Sequence, residues 1–416
     1  MARTSDPQAD EAVPTAAASH LTDDLIVEIL SRLPARSVHR FKCVSPSWRD
    51  LIADPAHRKE LPHALSGFLY NTYYKAQPRL DRYHFANVCV GATPLLDPGY
   101  VDPPFCDFHF ANVSVDATPP VDPSRRFLPR DEYMYVDQMD TCNGLLLCLA
   151  YPEFSSTDDD ENAPLESHYV VCNPATKMWV HVPPNPEAPP RGHIIARLAF
   201  DPAASSHFHV LQFEANDQEP YLAGVNIYSS QIGAWKHTES RLAEKIRVPA
   251  GFTSVFHHGM LHLLGWLHPM SMDEDAVMVS VDMEGQVWKT VRVPSGGLSY
   301  ATTPLVADDK KRKKREVTKI AELWCMKDYD SKEWVLKHTV TSDDLPSTTR
   351  VVYKVAAIHP DRDAIFLTAG NANTLASYDM QHRKFCRILK LKKEKGYLFL
   401  PYVPLFSDSL PGADGL

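Results

Sequence analysis

The stretch KCVSPSWRDL, from Lys42 to Leu51, sets one cysteine, two serines and a tryptophan among Lys42, Arg49 and Asp50. Thiols and hydroxyls turn nucleophilic beside a base or a positive charge, so the stretch reads as either a reactive site or a docking surface. Four histidines, His257, His258, His262 and His268, form the densest ligand-like group in the chain. On a helix, His258 and His262 would share a face and could hold a metal. VFHHGMLHLLGW instead alternates as a strand does and contains a glycine turn, and on a strand, positions four apart lie about 13 Å distant along one face. We expect half-buried strand histidines and no metal.

Other charged groups point away from catalysis. Asp158, Asp159, Asp160 and Glu161 sit in SSTDDDENAP, the composition of a solvated loop. No glycine-rich phosphate loop, Gly-x-Ser-x-Gly elbow or His-Glu-x-x-His occurs, and 17 glycines in 416 residues are few for a nucleotide binder. The expectation is a chain with no catalytic residues and no cofactor. The basic run Lys310, Lys311, Arg312, Lys313, Lys314, Arg315 reads as a nuclear localisation signal or as a solvated loop that could also hold an acidic partner.

Composition narrows the partners. A formal charge of -9 and a sequence pI near 6.1 argue against nucleic acid or an anionic membrane as the main partner. Apolar runs such as GLLLCLAY, Gly144 to Tyr151, fall far short of the roughly 20 residues of a membrane helix. Eight cysteines without a Cys-x-x-Cys pair read as reduced, mostly buried thiols, which suits a cytoplasmic and/or nuclear location. Residues 1–19, rich in Ala, Pro and Asp and lacking the apolar core of a secretory signal, are expected to be a disordered tail.

The elements that must carry these residues begin at Leu21. Leu21, Leu25, Ile29 and Leu33 recur every four residues and mark one face of a helix, with Thr22 placed to cap it, Asp23 and Asp24 at the positive end of its dipole, and Pro34 ending it. Val38, Phe41 and Val44 share the face of a second short helix. Ser45 is a good cap and Pro46 a good first residue for a third, which carries Trp48 and Leu51 and stops at Asp54–Pro55. Three short helices cannot bury all this apolar surface among themselves, so part of it must face a partner, with a helix-in-groove contact the natural form.

The segment LTDDLIVEILSRLPARSVHRFKCVSPSWRDLI resembles an F-box, the adaptor-docking motif of cullin-RING ubiquitin ligases. Leu21, Leu25, Ile29, Leu30, Leu33, Pro34, Cys43, Val44 and Trp48 match the family pattern, and Thr22 replaces its usual proline. The resemblance implies docking to a Skp-type adaptor, and through it a cullin, by Leu21, Leu25, Ile29, Leu30, Leu33, Pro34, Val38, Val44, Trp48 and Leu51. On this reading Cys43, Ser45 and Ser47 have structural roles.

Beyond the helices, HFANVCVGATPLLDP (His84 to Pro98) returns as HFANVSVDATPPVDP (His109 to Pro123), 11 of 15 positions identical at an offset of 25. Solenoids need at least three units, so a single copy reads as a tandem duplication within a variable insert, contributing at most one strand. Farther on, an aromatic residue lies six positions after an Asn, Ser or Asp five times: NPATKMW, SSQIGAW, DMEGQVW, DYDSKEW and DMQHRKF, ending at Trp179, Trp235, Trp288, Trp334 and Phe385. These aromatics are 56, 53, 46 and 51 residues apart, a propeller-blade period, and each starts the second strand of a hairpin. The expected fold is mainly β with a small α-helical head: a β-propeller of about five to seven blades, with an irregular β-sandwich as the alternative.

CNGLLL, VCNPATKMWVHVPP, LAFDP, HGMLHLLGW, LWCMKDYDSKEW and SYDMQHRKF together resemble, in order, the landmarks of the kelch-like F-box-associated domain of plant F-box proteins. The expected organisation is a tail (1–19), an F-box (20–60), an insert (61–136), the F-box-associated domain (137–410) and a short tail (411–416). The implied function is a non-catalytic substrate receptor that presents an unknown protein target for ubiquitination. A scaffold acting outside a ligase and a ligand-binding propeller stand as alternatives. Fold resemblance names a role and leaves the target open.

Overall fold

The computed structural model describes residues 21–33, 37–38, 41, 44–54, 57, 61, 65–70, 74–75, 85–86, 109–112, 128, 133–152, 167–186, 195–202, 204–215, 221–248, 254–267, 276–294, 298–299, 319–328, 333–341, 344–345, 353–359, 363–369, 374–391, 399–405 and 410. The chain divides into two compact units, Met1–Pro62 and His63–Leu416.

The first unit is helical. Helix α1 (Asp23–Ser31) starts after Thr22, whose backbone is extended and whose carbonyl accepts the Ile26 N–H at 3.0 Å. The Thr22 hydroxyl makes no capping bond, contrary to the expectation, which leaves Asp23 and Asp24 to favour the exposed N–H groups of the first turn. Helix α2 (Pro46–Ala53) is capped as the sequence suggests: the Ser45 hydroxyl accepts the Trp48 N–H at 3.1 Å, and Pro46 gives up no helical donor. Ser37, Val38 and Phe41 have helical backbone. The core joins Ile26, Val27, Leu30, Val38, Leu51, Ile52 and Leu61, with Leu33, Phe41 and Trp48 packed on its margin and the Phe41 and Trp48 rings 5.3 Å apart.

The second unit is all β among its described residues. Strands β1 (Gly67–Tyr70), β2 (Tyr74–Lys75), β3 (Phe85–Ala86) and β4 (His109–Asn112) come first. A four-stranded antiparallel sheet follows, made of β5 (Tyr133–Cys142), β6 (Leu145–Pro152), β7 (His168–Asn173) and β8 (Met178–Val182). The next comprises β9 (Ile195–Ala199), β10 (His209–Ala215), β11 (Leu222–Ser229) and β12 (Ala234–Glu239). The third holds β13 (Ile246–Arg247), β14 (Val255–His257), β15 (Met260–Leu267), β16 (Ala276–Asp282) and β17 (Trp288–Arg292). The fourth has β18 (Leu298–Ser299), β19 (Lys319–Asp328) and β20 (Glu333–Thr341), and the fifth β21 (Tyr353–Ile358), β22 (Ala364–Ala369), β23 (Thr374–Asp379) and β24 (Lys384–Lys390). Strand β25 (Phe399–Tyr402) pairs with β1, which pairs with β4, to make a sixth sheet.

Hydrophobic clusters join these sheets in cyclic order. Leu147 and Val171 pack with Leu198 and Val210, linking the first sheet to the second. Leu211 and Phe213 pack with Leu261 and Val279, linking the second to the third. Trp334 of the fourth sheet packs on Leu264 and Trp266 of the third, and Leu323 and Val340 of the fourth on Val355 and Leu367 of the fifth. Phe366 and Leu375 of the fifth meet Phe68 and Phe399 of the sixth, while Leu69 and Tyr402 of the sixth meet Leu146 and Cys172 of the first. The order returns to its start, so the sheets are blades of a closed β-propeller. The sandwich alternative falls, since two stacked sheets would give two faces and one shared core.

All five aromatic hairpins are present, and all five aromatics and four of the five polar residues have a physical job. Trp179, Trp235, Trp288, Trp334 and Phe385 face Cys172, Tyr228, Val281, Met326 and Tyr378 across their hairpins. The polar residue six positions earlier closes the turn: side-chain oxygens of Asn173, Ser229, Asp282 and Asp379 accept N–H groups from Ala175, Gln231, Gln286 and His382. The aromatic then packs toward the preceding blade. The Trp235 indole N–H donates to the Pro183 carbonyl at 2.7 Å, just beyond the outer strand of the blade before, and that of Trp334 to the Arg292 carbonyl at 3.0 Å, at the last residue of such a strand.

The region read as a variable insert holds part of the ring. β1 lies between the chain's last strand and the second copy of the duplicated segment. The first blade grips the closing strand: the Thr141 hydroxyl donates to the Pro401 carbonyl at 2.7 Å, and Asn173 Nδ2 to the Leu405 carbonyl at 2.8 Å. The β5–β6 turn is Asn143–Gly144, both at positive φ, and a Cβ on Gly144 would stand 2.7 Å from the Leu405 nitrogen and 2.9 Å from the Val403 carbonyl oxygen. Gly144→Ala is therefore expected to cost about 3 kcal/mol, from backbone strain plus displacement of the closing segment. Gly233→Ala, at φ +67 with nothing within 4 Å, should cost about 1 kcal/mol. Urea denaturation of the two variants measures the difference, and equal midpoints would contradict the latch.

Candidate docking site

Helix α1 is apolar on two sides. Ile26, Val27 and Leu30 point into the unit's core. Leu21, Leu25 and Ile29 form a stripe on another side, 51%, 52% and 46% exposed, and Val44 is 60% exposed. Large aliphatic side chains in water at helical spacing, on a unit with a core of its own, have the form of a helix-packing surface.

The structure sorts the predicted docking residues. Leu21, Leu25, Ile29 and Val44 are open to solvent; Leu33 and Trp48 are half-buried on the core margin. Leu30, Val38 and Leu51 are core residues, 0%, 2% and 9% exposed, and so cannot offer contact area without opening the unit. Their burial sets them apart from the exposed stripe, a division the sequence does not show, because the four-residue period does not tell the inward face from the outward one when both are apolar. Pro34 lies outside the described residues, as do Cys43 and the basic run Lys310, Lys311, Arg312, Lys313, Lys314 and Arg315. Cys142, Cys148 and Cys172 are buried free thiols as expected, whereas Cys386 is exposed.

His268 lies outside the described residues, and among the described residues no group of three or more His, Cys, Asp or Glu side chains is placed to hold an ion. The His257 and His258 rings meet edge to face at 4.0 Å. His262 Nδ1 is 2.7 Å from the Ser280 hydroxyl and its Nε2 is 3.3 Å from the His257 carbonyl. Burial pushes the pKa of the half-buried His262 below the usual imidazole range; the exposed His257 is lowered too, by partial desolvation and then by the neighbouring His258.

Two polar groups escaped the sequence reading. Asp140 on the first blade accepts the Leu198 N–H at 3.0 Å and the Ser254 hydroxyl at 2.8 Å, spanning three blades. Burial raises its pKa against the pull of the equally buried Arg197. On the second blade, Asn226 Nδ2 donates to Glu214, and His237 Nδ1 stands 3.2 Å from Asn226 Oδ1. Neither has a local sequence signal, since each is assembled from different strands. A cavity of about 340 Å³ on the third blade is lined by Glu244, Val277, Thr290, Val291 and Arg292, and Arg292 Nη2 lies 3.3 Å from Glu244 Oε1.

The chain thus joins a helical unit with an outward apolar stripe to a β-propeller. Residues 18–59 match the F-box domain model and residues 126–400 match the model of the F-box protein At3g26010-like β-propeller. The second match covers well over half of the chain, and the chain belongs to that family. It is 28% identical over 262 residues to F-box protein At5g07610 of Arabidopsis thaliana, covering 59% of this chain and 51% of the relative. To F-box protein At1g47340 of the same plant it is 48% identical over 60 residues, 14% of this chain and 11% of the relative. The chain thus spans about half the length of the first of these relatives. Among solved structures, a Penicillium chrysogenum alpha-L-arabinanase complexed with arabinobiose aligns with 12% identity and a TM-score of 0.37, over 66% of this chain and 86% of that one. A likeness that distant carries no conclusion about activity.

The histidines generate a pH prediction. Their folded pKa values are depressed below the unfolded value near 6.5, so their contribution is fully present above that pH and is lost as pH falls through the folded values. Melting temperature should fall between pH 7 and pH 5, and His262→Gln should flatten that slope. An unchanged slope in the variant would contradict the assignment.

Proposed function

We propose that this protein is the substrate-receptor subunit of a Skp-cullin-F-box type E3 ubiquitin ligase. Leu21, Leu25, Ile29 and Val44 pack against a Skp-type adaptor that connects to a cullin, and the propeller holds a protein target. The observation that carries the reading is the outward stripe on α1, which the unit's own core leaves in solvent. The chain does no bond chemistry on this reading. It holds a target lysine near the charged conjugating enzyme, and that proximity supplies the rate by removing the entropic cost of encounter. The proposed location is cytoplasmic and/or nuclear, with Lys310 to Arg315 as the nuclear signal.

The test separates surface from core. Leu25→Asp with Ile29→Asp should leave the melting temperature within about 1 °C, as surface changes do, and weaken Skp-type adaptor binding at least about 30-fold. Leu30→Ala should instead destabilise the helical unit by about 2–5 kcal/mol. Undiminished adaptor binding by the folded double variant would overturn the docking claim. If the adaptor binds but no cullin is recovered and a bound target is not turned over, the chain acts as a scaffold outside a ligase.

A further inference from the structure

The duplicated segment bears directly on how the ring closes. Gly67–Tyr70 pairs antiparallel with His109–Asn112, placing Gly67 opposite Asn112 and Tyr70 opposite His109. These four residues, His-Phe-Ala-Asn, recur identically at His84 to Asn87, and the following valine recurs too. In the structure Phe85 and Ala86 of that first copy form β3, which pairs over two residues with Tyr74 and Lys75. A backbone ladder depends on register and side-chain pattern, and the two copies present the same pattern to the same edge. We propose that the outer slot of the closing blade accepts either copy, so that the propeller carries a built-in strand exchange.

The connections make the exchange consequential. With His109–Asn112 in the slot, residues 71–108 connect Tyr70 to His109, which stand opposite each other in the ladder, and residues 113–132 connect its other end to β5. With His84 to Asn87 in the slot, the spans become 71–83 and 88–132. The exchange therefore moves a repeat length of 25 residues from one end of the blade to the other. Shortening the first connection favours the exchange by roughly fivefold and lengthening the second opposes it by roughly threefold, so closure entropy leaves the two arrangements within about twofold, and the exchange gives up the two β2–β3 pairs. Propeller ends are where connecting loops present binding groups, so the exchange alters which end carries the longer loop.

Paired prolines test the slot, since one of any two adjacent residues must donate to β1. Ala111→Pro with Asn112→Pro, or Ala86→Pro with Asn87→Pro, should each lower the melting temperature by less than about 2 °C, because the intact copy takes the slot. All four prolines together should lower it by more than about 5 °C. Deletion of residues 84–108, which leaves one intact copy on the short connection, should melt with the wild type. If the second-copy prolines alone cost as much as all four, or if all four cost nothing, the exchange is refuted. A deletion variant that melts more than about 5 °C lower refutes it as well.

Discussion

The β unit depends on one repeated contact: the aromatic residue that starts the outer strand of each hairpin and packs toward the preceding blade. A sheet with one apolar face is unstable alone, and a ring solves this only if each blade covers its neighbour. Trp235 and Trp334 meet the requirement twice over, burying ring surface between sheets and donating an indole N–H to the end of the neighbouring outer strand. Trp179 applies the same contact where the first blade meets the closing one. The polar residue six positions before each aromatic follows from this, because the turn must be tight and fixed for the ring to arrive at the right height.

Closure imposes a second constraint. Chain ends cannot complete a ring by local contacts, so β25 pairs with β1 across more than 300 residues. Such long-range pairing carries a large loop-closure cost. Thr141, Asn143–Gly144 and Asn173 of the first blade meet the segment around β25 and hold the join.

Legibility in the sequence tracked the range of the interaction. The five hairpins were readable because turn and aromatic lie within one short window, and the Ser45–Pro46 start of α2 was readable for the same reason. β1 was not, since GFLY is too short a run to announce a strand and its partners lie far along the chain. Asp140 and its contacts on two other blades were equally silent. On α1 the composition hid the answer: Leu25, Ile26, Val27, Ile29 and Leu30 make the helix apolar on both sides, and only packing shows that Ile26, Val27 and Leu30 face inward.

That sorting bears on function, because a side chain committed to the unit's own core cannot also supply an interface. The helical unit keeps Leu30 and Ile52 for stability and leaves Leu25 and Ile29 in water, where an apolar stripe is a cost unless a partner covers it. Amide hydrogen exchange on the full chain, with and without a Skp-type adaptor, measures that covering directly. Added protection is expected across residues 21–33 and 44–53, with the blades unchanged. Protection confined to the propeller, or none in α1 at saturating adaptor, would contradict it.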